Sequence, residues 1–97
     1  MFKPLDPLLK NELRLAIMSL LISLDQADFN YLKKETKATA GNLSVQVQKL
    51  KDAGYISVDK SFKDNYPLTT CIITKKGIDA FEAYVEAINS YLNLKKK

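Results

Sequence analysis

Gly54 separates two periodicities, and that junction constrains the fold more than any other feature of this chain. Before it, in TAGNLSVQVQKLKDAGYISV (residues 39–58), Leu43, Val47 and Leu50 recur at steps of four and three and share one face of a helix. After it, Tyr55 to Phe62 alternate as a strand does. Glycine takes the left-handed conformation that closes a helix without strain, so the helix over 39–53 is expected to stop at Gly54 and turn directly into a strand. Thr39 is placed to cap the start of that helix by accepting a free backbone N–H of its first turn. The face opposite the leucines holds Asn42, Ser44, Gln46, Gln48 and Lys49, with no carboxylate until Asp52.

The remaining elements follow from the same rules. Residues 11 to 24 predict a long first helix that is apolar nearly all round, since only Arg14, Ser19 and Ser23 are polar over 13–24. Such a helix has to be covered on most sides, which a domain this small can hardly do alone. Asp28-Phe29 reads as a short extended piece, and residues 30–36 as a short helix with Asn30 as its cap. Lys37-Ala38 is the turn to the third helix. A second strand spans Leu68 to Thr74, joined to the first by KDNYP, which is turn chemistry. Thr74 caps a last helix from about Lys75 to Leu94. In it Ile78, Phe81, Val85, Ile88 and Leu92 recur at steps of 3, 4, 3 and 4, a heptad seam flanked by Tyr84 and Tyr91. The run LAIMSLLISL (residues 15–24) has the length of a signal-peptide core. Asp6 and Glu12 interrupt its basic flank, however, and DQADF offers no small-x-small cleavage site, so a buried helix is expected.

Composition excludes much chemistry. The chain has 97 residues, no histidine and one cysteine, Cys71. That speaks against a histidine-based triad, a zinc site or an internal disulfide, and a lone thiol suits a reducing cytoplasm. No carboxylate pair lies in an apolar setting and there is no glycine-rich phosphate loop, so no enzyme is expected. The net charge of +4 is localised: residues 37–77 hold seven lysines against Asp52, Asp59 and Asp64, while the two flanking segments are balanced. A basic segment of this kind points to a polyanion.

A short helix, a tight turn, a longer helix and then a hairpin make a winged helix-turn-helix: α+β, mostly helical, with a three-helix core, a two-stranded wing and a long C-terminal helix. In that arrangement the third helix enters the major groove of duplex DNA with its N-terminal half on base edges. Asparagine, glutamine, serine and lysine are the side chains that donate and accept there at short reach, and phosphates repel carboxylates. The expected DNA-contacting set is therefore Thr39, Ala40, Gly41, Asn42, Ser44, Val45, Gln46, Gln48 and Lys49, with Lys60 and Lys63 of the wing holding phosphates. Ala40 and Gly41 carry little side chain and leave the helix start free to approach the backbone.

The segments LRLAIMSLL, DFNYLKKET, GNLSVQVQKLKDAGYISV and PLTTCIITKKGIDAF together resemble the small winged-helix transcriptional regulators of the MarR/ArsR-like group. The likeness runs over residues 5–92, and its most specific part is Gly41 to Ser44, Lys49-Leu50, Ala53 to Tyr55 and Ile73-Thr74 with Gly77. It implies a sequence-specific DNA-binding homodimer and no cofactor needed to fold, and a twofold dimer in turn expects a near-palindromic site. It also implies a dimer contact made by the first and last helices, here Leu13, Ile17, Leu20, Leu24, Ile78, Phe81, Tyr84, Val85, Ile88, Tyr91 and Leu92. The chain departs from the group at the wing tip, where Asp64-Asn65-Tyr66 replaces the usual cluster of basic residues. That departure leaves a second reading open, an adaptor that binds another protein through the winged helix. A small hydrophobic effector between the first and last helices also stays open. Cys71, alternating on the second wing strand, is expected in the core and inert, and Tyr55 is expected to fill the space between helix and wing.

Overall fold

The computed structural model describes residues 1–92. A 3-10 turn, Pro7–Lys10, precedes α1 (Glu12–Leu24), β1 (Gln26–Asp28), α2 (Phe29–Thr36), α3 (Ala40–Asp52), β2 (Ile56–Lys63), β3 (Tyr66–Ile73) and α4 (Lys75–Leu92). The expected end of the last helix at Leu94 lies outside the described residues. The core is built by Leu9, Ile17, Met18, Leu21, Leu32, Leu43, Val47, Leu50, Ile56, Cys71 and Ile73, so the first three helices and the base of the sheet share one apolar interior.

Helix boundaries are set by side-chain caps. Asn11 accepts the Arg14 N–H at 2.9 Å to open α1, and Thr39 accepts the Asn42 N–H at 3.1 Å to open α3. At the far end of α3 the Tyr55 N–H bonds Leu50 C=O at 3.0 Å and the Gly54 N–H bonds Lys51 C=O at 2.9 Å, with Gly54 at φ 82°. This pair of bonds around a left-handed glycine is a Schellman stop. Thr74 opens α4, accepting the Gly77 N–H at 3.0 Å while its hydroxyl donates to Gly54 C=O at 2.6 Å.

The structure differs from the sequence reading around the sheet. The sheet has three strands in the order β1-β3-β2, all antiparallel, because Gln26, Ala27 and Asp28 pair with Ile72, Cys71 and Thr70. That pairing satisfies the backbone of β3 where its edge would otherwise be bare. With β1 in place, the extended Asp28 rather than Asn30 caps α2, its carboxylate taking the Tyr31 N–H at 2.8 Å. The wing turn is also tighter than expected. Asp64 and Asn65 both sit at positive φ (51° and 67°), the two-residue turn that suits twisted hairpins, and the strands run on to Lys63 and Tyr66. Pro67 is tolerated in β3 because β1 does not reach that far along it.

Candidate nucleic-acid interface

The helical pitch of α3 divides its residues into two arcs. Leu43, Gln46, Val47 and Leu50 turn inward, and Ala40, Gly41, Asn42, Ser44, Val45, Gln48 and Lys49 are exposed. The middle of the outward arc is formed by Gly41, Val45 and Gln48; Val45 is 51% exposed, high for a valine in a helix. A Cβ added at Gly41 would meet nothing within 4 Å, so nothing in the chain's own packing demands a glycine there. The first turn of α3 carries no acidic residue, so its partly free N–H groups keep an unopposed positive field. Thr39 spends its hydroxyl on the cap.

Gln46 corrects the sequence reading. It is 9% exposed and belongs to the inward arc, because Arg14 of α1 reaches it. The Arg14 guanidinium donates to Leu8 C=O at 2.6 Å and to Gln46 Oε1 at 2.5 Å, and Gln46 Nε2 donates to Asn42 Oδ1 at 3.0 Å. Gln46 therefore has its oxygen and one amide hydrogen engaged inside the chain and presents little surface to a base.

On the other flank of α3 the hairpin closes a groove of about 260 Å³, lined by apolar Phe29, Val47 and Val58 and by polar Ser44, Gln48, Lys51, Lys60 and Thr69. In the register, Lys60 stands opposite Thr69 and Phe62 opposite Pro67 on the face shared with Val58 and Cys71, while Lys63 lies beside the turn opposite Tyr66. Two cations thus approach one groove from opposite sides, with no carboxylate in its lining. Lys51 was missed by the sequence reading, although its spacing of seven from Ser44 puts both on the hairpin side of α3. Phe62 and Tyr66 are 77% and 75% exposed near the hairpin tip. Cys71 is fully buried, and burial with the nearby Asp28 charge pushes its thiol up to about 11, which keeps it protonated.

The residues expected at a dimer contact fall into three groups. Ile17 (fully buried) and Tyr84 (8% exposed) are consumed by the chain's own core, and the expectation for them is corrected. Leu13, Leu20, Ile78, Phe81 and Ile88 are half-buried beside that core. Leu24, Val85, Tyr91 and Leu92 are exposed. The reason is that α4 turns Gly77, Tyr84 and Ala87 inward. Part of the heptad stripe beside that line is left facing out, over an open groove of about 620 Å³ lined by Ile22, Phe81, Glu82, Ala83, Val85, Glu86 and Asn89. Tyr91 already has an internal neighbour: Phe2 stacks on it at 4.8 Å, and Lys3 pairs with Glu86 at 3.1 Å.

Residues 13–92 match the sequence model of a family described as a winged helix DNA-binding domain. An uncharacterised protein of Methanocaldococcus jannaschii is 37% identical over 75 residues, which cover 77% of this chain and 82% of that one. Among solved structures, a transcriptional regulator homologue from Pyrococcus horikoshii OT3 superposes with a TM-score of 0.85 at 26% identity, over 93% of this chain and 89% of that chain. A MarR protein from Peptoclostridium difficile shares the fold at a TM-score of 0.69 and 17% identity, over 87% of this chain and 54% of that one.

Proposed function

Because the chain belongs to the winged helix DNA-binding domain family, we propose that it is a transcriptional regulator that reads duplex DNA with α3 as a homodimer and represses by occupying promoter DNA. The single observation that carries this reading is the outward arc of α3, exposed from Ala40 to Lys49, free of carboxylates up to Asp52, which accepts from Gln48 at 2.8 Å, and bordered by the groove where Lys51 and Lys60 converge. A DNA strand laid in that groove would bring its phosphates to both lysines, while Ser44, Val45 and Gln48 meet base edges. Thr39, Ala40, Gly41 and Asn42 would lie where the helix start approaches the backbone, and Lys49 and Lys63 would add phosphate contacts at the margins. In a twofold dimer the two α3 helices would address half-sites about 34 Å apart on a near-palindromic sequence. Nothing in this reading calls for catalysis.

The test is fluorescence anisotropy with labelled random duplex DNA at about 50 and 200 mM salt. A drop of ~10³-fold or more in affinity between them is expected, as several phosphate contacts are lost to counterions. No binding at the lower salt sinks the reading. One observation favours a second one: Phe62 and Tyr66 expose two aromatic rings at the wing tip, which would suit an adaptor that docks on another protein. An adaptor would give the salt-independent, DNA-free result.

A further inference from the structure

Arg14 is the chain's single arginine. It is directed not at solvent but at the junction of α1 and α3, where its Nε donates to Leu8 C=O and a terminal nitrogen donates to Gln46 Oε1. A guanidinium has donors and no acceptor. Gln46 must therefore present its carbonyl oxygen to Arg14, and the planar amide then carries its NH₂ at the other corner. That NH₂ donates to Asn42 Oδ1 at 3.0 Å. Asn42 in turn has its oxygen engaged, and its own NH₂ has no partner among the described residues. Its backbone N–H is already taken by Thr39. Each step leaves one orientation, because reversing either amide would set donor against donor.

We propose that Arg14 and Gln46 are positioning residues that hold Asn42 as a hydrogen-bond donor toward DNA. The proposal rests on the DNA-binding reading and adds to it what Asn42 can recognise. An unconstrained asparagine pairs with adenine by donating and accepting together. Asn42, held with its NH₂ outward in the exposed first turn of α3, is matched instead to an acceptor. Two sources offer one there: a base-edge acceptor, O6 or N7 of guanine, O4 of thymine or N7 of adenine, and a phosphate oxygen. The amino group of cytosine is rejected, since it would face another donor.

Gln46→Glu inverts this polarity. A carboxylate still accepts from Arg14 but offers only oxygen to Asn42, which must then turn its NH₂ inward and its oxygen outward. Anisotropy titrations of wild type and Gln46→Glu would use one selected duplex. In one panel each base pair is changed in turn, and in a second each phosphate is replaced by a neutral methylphosphonate. If Asn42 meets a base, one position shows a wild-type discrimination against cytosine of roughly tenfold that reverses in the variant. If it meets a phosphate, one replacement weakens the wild type and leaves the variant unaffected or improved. Weakening by the same factor on every duplex, with no position singled out, overturns the proposal and leaves Gln46 a packing residue. Absence of salt-dependent binding by the wild type removes the DNA reading itself, and this proposal with it. A measurement on the free wild-type protein guards against a variant that fails to fold: side-chain amide exchange should be slowed at Gln46 and fast at Asn42. Fast exchange at both overturns the arrangement directly.

Discussion

At the scale of the residue, two glycines with opposite surroundings separate what the fold needs from what a partner needs. A Cβ at Gly77 would lie 2.1 Å from the Tyr55 carbonyl oxygen, so α4 can start where it does only because that position has no side chain. Gly77→Ala is expected to cost about 1–3 kcal/mol through the backbone shift it forces, read as a lowered midpoint in urea unfolding. Gly41 has open space around it in the first turn of α3, where alanine is better than glycine by up to about 0.5 kcal/mol, the low end of the helix-interior difference. Gly41→Ala should therefore raise thermal stability yet weaken DNA binding, and an unchanged affinity would mean that the helix start does not approach DNA closely. Tyr55 gives a pH signature. Burial, and then its hydrogen bond to Asp6, push its hydroxyl up from 10.0 to about 12. A folded-state value above the unfolded one means that the neutral form stabilises the fold below pH 10, and that this contribution fades between pH 10 and about 12. Wild type should lose stability across that window in alkaline unfolding, and Tyr55→Phe should lose less.

At the scale of the element, most caps and stops were legible because they act within four residues, although at α2 Asp28 holds the place expected of Asn30. Thr39, Gly54 and Thr74 could each be assigned from their neighbours and stand in those roles. What escaped depends on partners far along the chain. Gln46 reads as one more polar residue on a helix surface until Arg14, 32 positions earlier, is brought beside it. The three residues of β1 are too few to show alternation and exist as a strand only because β3 has an edge to pair. In α4 the sequence shows adjacent apolar stripes but not which one turns home, and the small Gly77 and Ala87 decide it by letting the helix come close. The stripe left outward locates the test of self-association. Val85→Asp, a charge set among the exposed apolar residues of α4, is expected to convert a dimer of 11.0 kDa chains to monomer in sedimentation equilibrium without loss of helicity. A wild type that sediments as monomer removes the proposed dimer, and a dimer that Val85→Asp leaves intact makes its contact elsewhere. The groove beside α3 makes a parallel prediction for the wing: Lys60→Ala and Lys51→Ala should each weaken binding to all duplexes alike and lower the slope of log affinity against log salt by about one.

At the scale of the whole molecule, the described residues measure 59 × 25 × 21 Å, with a radius of gyration of 14.9 Å against about 13 Å for a compact domain of this length. Two long parts contribute to that length: α4, 18 residues and about 27 Å long at 1.5 Å per residue, and a hairpin of two eight-residue strands that is exposed over residues 59–67. A body more than twice as long as it is wide does not rotate equally in all directions. It spins readily about its long axis and slowly end over end, so the ratio of transverse to longitudinal ¹⁵N relaxation should sort the amides by their tilt to that axis. Pairing along the exposed stripe of α4 would change the proportions of the tumbling body, and the spread of those ratios, followed through dilution, reports assembly without any fluorophore or any DNA.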